Sequence, residues 1–107
     1  MSEIEELEPT ELKARLDRGD RLAVLDVREP EEVVIAAFPH AIHVPMNEIP
    51  ARLDELDKSA EWVVVCHHGM RSAHVAMHLA GRGFKVANLN GGIDRWALEV
   101  DPSTPRY

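Results

Sequence analysis

Thiols are almost absent from this 107-residue chain. Cys66 is its single cysteine, which excludes an internal disulfide, a four-cysteine zinc site and an iron–sulfur cluster held by this chain alone. Any thiol chemistry therefore rests on one residue. Cations are scarce as well. Twelve Lys and Arg face 19 Asp and Glu, and the net charge of -7 argues against nucleic acid, whose binding depends largely on neutralising phosphates. Nor is there a long apolar run. The longest, residues 33–38 and 62–66, fall far short of the roughly 20 residues that cross a bilayer, so no membrane partner is expected. The first six residues have neither the basic nor the apolar stretch of a targeting peptide. The expected compartment is the cytoplasm, where a lone thiol stays reduced.

What is present suits one compact domain. With 45% hydrophobic and 29% charged residues, the chain can bury one core, expected over about 7–102 of the single domain 1–107, with 103–107 as a tail. Pro9 suits a first helical position, Leu12 and Leu16 share a face and Gly19 can close the C-terminus, which predicts a helix over 9–18. A strand is expected over 21–27, a helical turn over 30–36, a short strand at 42–44, and a helix capped by Asn47 and running to about Leu56. Residues 62–66 are short, continuous and β-branched, and read as a buried strand. Beyond them, apolar positions 73, 75, 76, 79 and 80 against polar 74, 78 and 82 follow a helical period over 71–82. One more strand over 84–89, a helix opened by Gly91-Gly92 and running through Trp96, and an irregular, mobile tail over 101–107 complete the pattern. Four strands alternating with helices, joined by connections too long for hairpins, make an α/β fold with a mainly parallel sheet covered on both faces. Ligands of such folds bind beyond the carboxyl ends of the strands, where Cys66 falls.

That position meets the requirements of a reactive thiolate. The following loop can turn backbone N–H groups toward the sulfur, the next helix presents its positive end, and Arg71 adds a full charge. Gly69 lets the loop take conformations closed to other residues, and Ser72 can donate its hydroxyl to the loop or to the sulfur. The bland alternative is an inert cysteine finishing a core strand, the commonest fate of a free thiol.

The segment Cys66-His67-His68-Gly69-Met70-Arg71-Ser72 resembles the active-site loop of the rhodanese-like sulfurtransferases, in which four residues separate a cysteine from an arginine. Three further stretches agree in order: Leu25-Asp26-Val27-Arg28-Glu29-Pro30, Pro39-His40-Ala41-Ile42-His43-Val44-Pro45, and Gly83 through Gly91-Gly92-Ile93-Asp94-Arg95-Trp96. The resemblance implies a three-layer α/β fold with a central, mainly parallel sheet flanked by helices on both faces. It also implies a cofactor-free, two-step transfer in which Cys66 takes a sulfane sulfur from thiosulfate or a persulfide and passes it to cyanide or a thiol, with His67, His68, Gly69, Met70, Arg71 and Ser72 around the substrate. Partners would be a small sulfur donor such as thiosulfate, with a protein persulfide donor or acceptor as a further possibility. Phosphatases related to this fold place five residues in the loop, which makes phosphatase or arsenate-reducing chemistry the less favoured reading. A non-catalytic binding module is the other alternative, disfavoured by the presence of Cys66 and Arg71.

Several residues admit two readings. Asp26 and Arg28 match the family's strand-end Asp-Val-Arg, and either sit behind the loop, with Asp26 bonding its N–H groups or an arginine and Arg28 pairing with acids such as Glu32, or form an ion pair fixing the turn. His67 and His68 either look toward substrate or cover the loop, and Met70 lines the pocket mouth or packs inward. His74 and His78 have the i, i+4 spacing of metal ligands but fall on the polar stripe, so they are expected to face solvent, with no metal bound. His40 stands where relatives carry glycine, so the turn either differs or holds a strained positive φ.

Overall fold

The structure, a computed structural model, describes residues 4–107. Five strands, β1 (Glu5–Leu7), β2 (Leu22–Asp26), β3 (Ile42–His43), β4 (Glu61–Val65) and β5 (Lys85–Leu89), form one sheet in the order β1-β5-β4-β2-β3. Every pairing is parallel. The sheet expected to be mainly parallel with four strands is thus wholly parallel with five. The additional strand, β1, escapes sequence patterning because two of its three residues are exposed glutamates on an edge and only Leu7 is buried.

Four α-helices cover the sheet: α1 (Pro9–Asp17), α2 (Pro30–Ile35), α3 (Met70–Ala80) and α4 (Gly92–Glu99). Successive β4 residues point to opposite faces, so Trp62, Val64 and Cys66 pack with Val75, Ala76 and Leu79 of α3 on one side. Val63 and Val65 meet Leu12 of α1 and Ile93 and Trp96 of α4 on the other. A strand buried on both faces has no polar alternation, which is why 62–66 reads as a continuous apolar run. Burial of each such Val or Leu side chain is worth about 1.5–3 kcal/mol.

The helix expected after Asn47 is replaced by two 3-10 segments, Met46–Glu48 and Pro50–Glu55. Asn47 lies inside the first and does not cap it. Pro50 lacks an N–H and so interrupts any continuous α-helical ladder there. Both α1 and α2 begin with a glutamate, proline pair, and Glu29 N–H donates to Glu32 Oε1 at 3.1 Å, as Glu8 N–H does to Glu11 at 3.0 Å. Of the alternatives for His40, the positive φ is the one found, at 57°. The tail, expected to be mobile, is irregular in backbone yet docked: Thr104 is buried and Arg106 Nε donates to Asp94 Oδ1 at 2.9 Å. Among the described residues, no helix is long and apolar enough to cross a membrane.

Candidate active site

Cys66 leaves β4 at its carboxyl end, and the loop 67–69 carries the chain into α3. The first turn of α4 fixes this loop from behind. Ile93 N–H donates to Cys66 O at 2.9 Å and Asp94 N–H to His67 O at 3.1 Å. So close an approach requires Gly92, where a Cβ would lie 2.5 Å from Cys66 O and 2.4 Å from His67 O. With those carbonyls engaged, the loop offers one amide to the sulfur. Gly69, at φ 101°, donates its N–H to Cys66 Sγ at 3.1 Å, and Ser72 Oγ stands 3.2 Å from the same atom. Cys66 is only 1% exposed, and Ser72 is fully buried. Two neutral donors and the start of α3 thus surround a sulfur withdrawn from bulk water.

Arg71 departs from expectation. Its guanidinium is held by the Glu32 carboxylate in a two-pronged pair at 2.6 and 2.8 Å, so the full positive charge assigned to the loop is largely offset. Glu32 is aimed at Arg71 because its capping bond to Glu29 N–H fixes it in the first turn of α2. Arg71, and beyond it the Tyr107 hydroxyl, hold the Glu32 carboxyl down at about 2. Tyr107 donates to Glu32 Oε2 at 2.7 Å and accepts from Arg28 Nη1 at 3.0 Å. Burial pushes the Tyr107 hydroxyl up to about 12, against the pull of Arg28.

Asp26 and Arg28 form a buried pair at 2.7 Å, and Arg28 also donates to Ala36 O at 2.6 Å. Asp26 takes the Arg28 backbone N–H at 3.1 Å. Arg28 reaches Glu32 through that residue's carbonyl oxygen, at 3.4 Å, while the Glu32 carboxylate goes to Arg71. The Asp26–Arg28 ion pair at the strand-end turn is formed, and through Tyr107 and Glu32 it also connects to Arg71 of the loop.

His67 is sandwiched, with ring centroids 3.8 Å from both His68 and Tyr107. Burial, and secondarily the charge of His68, pull its pKa below the usual histidine value. His68 and Met70 are exposed, Met70 by 76%, and both border an open cleft of about 370 Å³ that Asn88 and His74 also line. His74 faces solvent as expected. His78 is half-buried, with Nε2 unpartnered and Nδ1 3.3 Å from Arg82 Nη1, because α3 packs that edge toward Met46 and Ile49.

His67, His68 and Asp94 each bring a metal-ligating atom within 4.8 Å of the others. Ligands on one zinc-like ion lie no more than about 4.4 Å apart, twice the bond length. The trio would have to draw in, and Asp94 would have to release Arg106. Sequence reasoning missed two residues of the site, Asn88 and Tyr107. An Asn among the apolar residues Val86, Ala87 and Leu89 of β5, shortly before Gly91-Gly92, was the available signal for the first; a single tyrosine in an irregular tail gave none for the second.

A parallel α/β domain whose sulfur sits at a strand's carboxyl end, wrapped by a loop that runs straight into a helix, defines a class of thiol-centred α/β proteins. Comparison with known proteins narrows that class. A family model for the rhodanese-like domain matches residues 8–99, and the chain belongs to that family. It is 40% identical over 100 residues to the putative sulfurtransferase YtwF of Bacillus subtilis, covering 94% of this chain and 97% of that one. A sulfurtransferase of Allochromatium vinosum is 34% identical over 88% of this chain and 89% of its own. Among solved structures, a rhodanese-like domain protein from Staphylococcus aureus superposes with a TM-score of 0.85 at 30% identity, covering 97% of this chain and 99% of that one.

Proposed function

We propose that this protein is a sulfurtransferase working through a Cys66 persulfide. In the first step the Cys66 thiolate attacks the outer sulfur of a donor such as thiosulfate. A bond forms between the two sulfurs, the donor's own bond to that sulfur breaks, and the electron pair leaves with sulfite. In the second step an acceptor, cyanide or a thiolate, attacks the outer sulfur, and the electron pair of the broken S–S bond returns to Sγ. The single observation that carries this reading is the buried Cys66 Sγ with two donors, Gly69 N–H at 3.1 Å and Ser72 Oγ at 3.2 Å, aimed at it. Those donors stabilise the negative charge while it sits on Sγ.

Four residues separate Cys66 from Arg71, one fewer than the cradle of the related phosphatases, which favours a sulfur over a tetrahedral phosphate. The relatives named sulfurtransferases point the same way. With no second thiol in the chain, a loaded Cys66 cannot resolve to an internal disulfide, so the sulfur must leave to another molecule. His68, Met70 and the cleft beside them are where that acceptor would approach, while His67, Gly69, Arg71 and Ser72 shape the loop around the sulfur. A thiosulfate-to-cyanide assay should give parallel double-reciprocal lines, the pattern of a two-step exchange, and Cys66→Ser should abolish it. Activity surviving that substitution, or phosphatase turnover without sulfur transfer, would overturn the reading.

A further inference from the structure

Ser72 Oγ lies 2.5 Å from Asn88 Oδ1 as well as 3.2 Å from Cys66 Sγ. A hydroxyl carries one proton and donates to one acceptor at a time. The orientation of the Asn88 amide follows from its other partners. Its Nδ2 faces Gly69 O at 3.0 Å and the Glu6 carboxylate at 3.1 and 3.2 Å, which only accept, so the NH2 must lie there and Oδ1 must face Ser72. Asn88 is 2% exposed and Ser72 fully buried, so no solvent replaces a lost partner.

We propose that Asn88 is a positioning residue that acts through Ser72 by giving its proton a second acceptor, so that the hydroxyl follows the negative charge during sulfur transfer. The inference rests on the persulfide chemistry proposed above. While Sγ is a thiolate, Ser72 donates to it. Once the S–S bond has formed, the charge sits on the outer sulfur and Sγ becomes a neutral, weak acceptor. Ser72 then rotates about its Cβ–Oγ bond and donates to Asn88 Oδ1. When the acceptor removes the outer sulfur and the electron pair returns to Sγ, the hydroxyl swings back. No proton leaves the site in either direction. Asn88 thereby spares a buried hydroxyl from losing its partner in the loaded and in the protonated states.

The test reads the pH midpoint of Cys66 alkylation by iodoacetamide. Other charges near the sulfur, Arg71 with Glu32, His67, His68 and Asp94 from the loop and α4, and Glu6 beyond Asn88, are common to every variant compared. Ser72→Ala should raise the midpoint by about one pH unit, the loss of one hydrogen bond to a charged group. Asn88→Ala should lower it, because the hydroxyl then has only the sulfur to bond, and should reduce the persulfide fraction formed with thiosulfate several-fold. In the Ser72→Ala background, Asn88→Ala should have no further effect on the midpoint. If Asn88 merely braced the loop, its loss would disorder Gly69 and raise the midpoint, and would do so equally with or without Ser72; either result overturns the proposal. Asn88→Leu, of similar volume, serves where Asn88→Ala does not fold. The wild type offers an independent reading: the Asn88 side-chain amide resonances should titrate with the thiol, and an amide that does not move contradicts the inference. Failure of the wild type to take up sulfur would instead sink the sulfurtransferase reading while leaving the midpoint pattern intact.

Discussion

Two sides of the loop around Cys66 are built from different materials. On the β5 side the sulfur's neighbours are neutral and buried: Gly69 N–H, the Ser72 hydroxyl and the Asn88 amide. On the α2 side lies a chain of charges, from Arg71 through Glu32 and Tyr107 to the Arg28–Asp26 pair, with its outer members partly exposed. Dipoles hold the sulfur, while charges hold the loop. A free cation beside the sulfur would bind an anionic donor tightly and release the anionic product slowly; Glu32 moderates Arg71 and passes its position to the tail.

Breaking the charged side at its buried end has the largest expected effect. Arg28→Ala leaves the buried Asp26 carboxylate without its partner, at about 3–5 kcal/mol of stability, measurable by denaturant unfolding. Gly92→Ala tests the neutral side. Its Cβ would lie 2.4 Å from a loop carbonyl, so Cys66 and His67 must shift, and sulfur-transfer kcat/KM should drop about 100-fold in steady-state assays. Glu32→Gln leaves Arg71 with an unscreened charge. The KM for thiosulfate should fall several-fold, the effect should shrink with added salt, and the neutral side should be undisturbed.

Acid should act on the charged side alone, and least. The pKa values of Glu32 and His67 are both depressed in the folded protein, so each contributes stability above its unfolded value that is lost as pH falls. The His67 share begins to decline below about 6.5, and the Glu32 share between about 4.5 and 2. Tyr107 ring resonances should therefore report loosening of the tail over that descent, before the core signals of Trp62 change.

Sequence legibility divides along the same line. The unalternating 62–66 run and the 3.6 period of 71–82 place Cys66 at the junction of β4 and α3, because a doubly covered strand and an amphipathic helix write their burial into local pattern. β1 stayed hidden because an edge strand of two glutamates and one leucine has no such pattern. The same holds for the partners of the loop. Glu32 stands 39 residues before Arg71, and Tyr107 79 residues after Arg28, so tertiary packing brings them together. Arg71 was legible as a cation, but its neutralisation was not. Asn88 became part of the site only when the β5 register set it against Gly69 and Ser72.

The central claim is that Cys66 carries the transferred sulfur and that the chain itself cannot discharge it. Intact-protein mass spectrometry after incubation with thiosulfate tests this most directly. The wild type should gain one sulfur, localised to Cys66 by peptide mapping, persistent until cyanide or an added thiol removes it, and absent from Cys66→Ser. A wild-type mass unchanged by thiosulfate and by persulfide donors would contradict it.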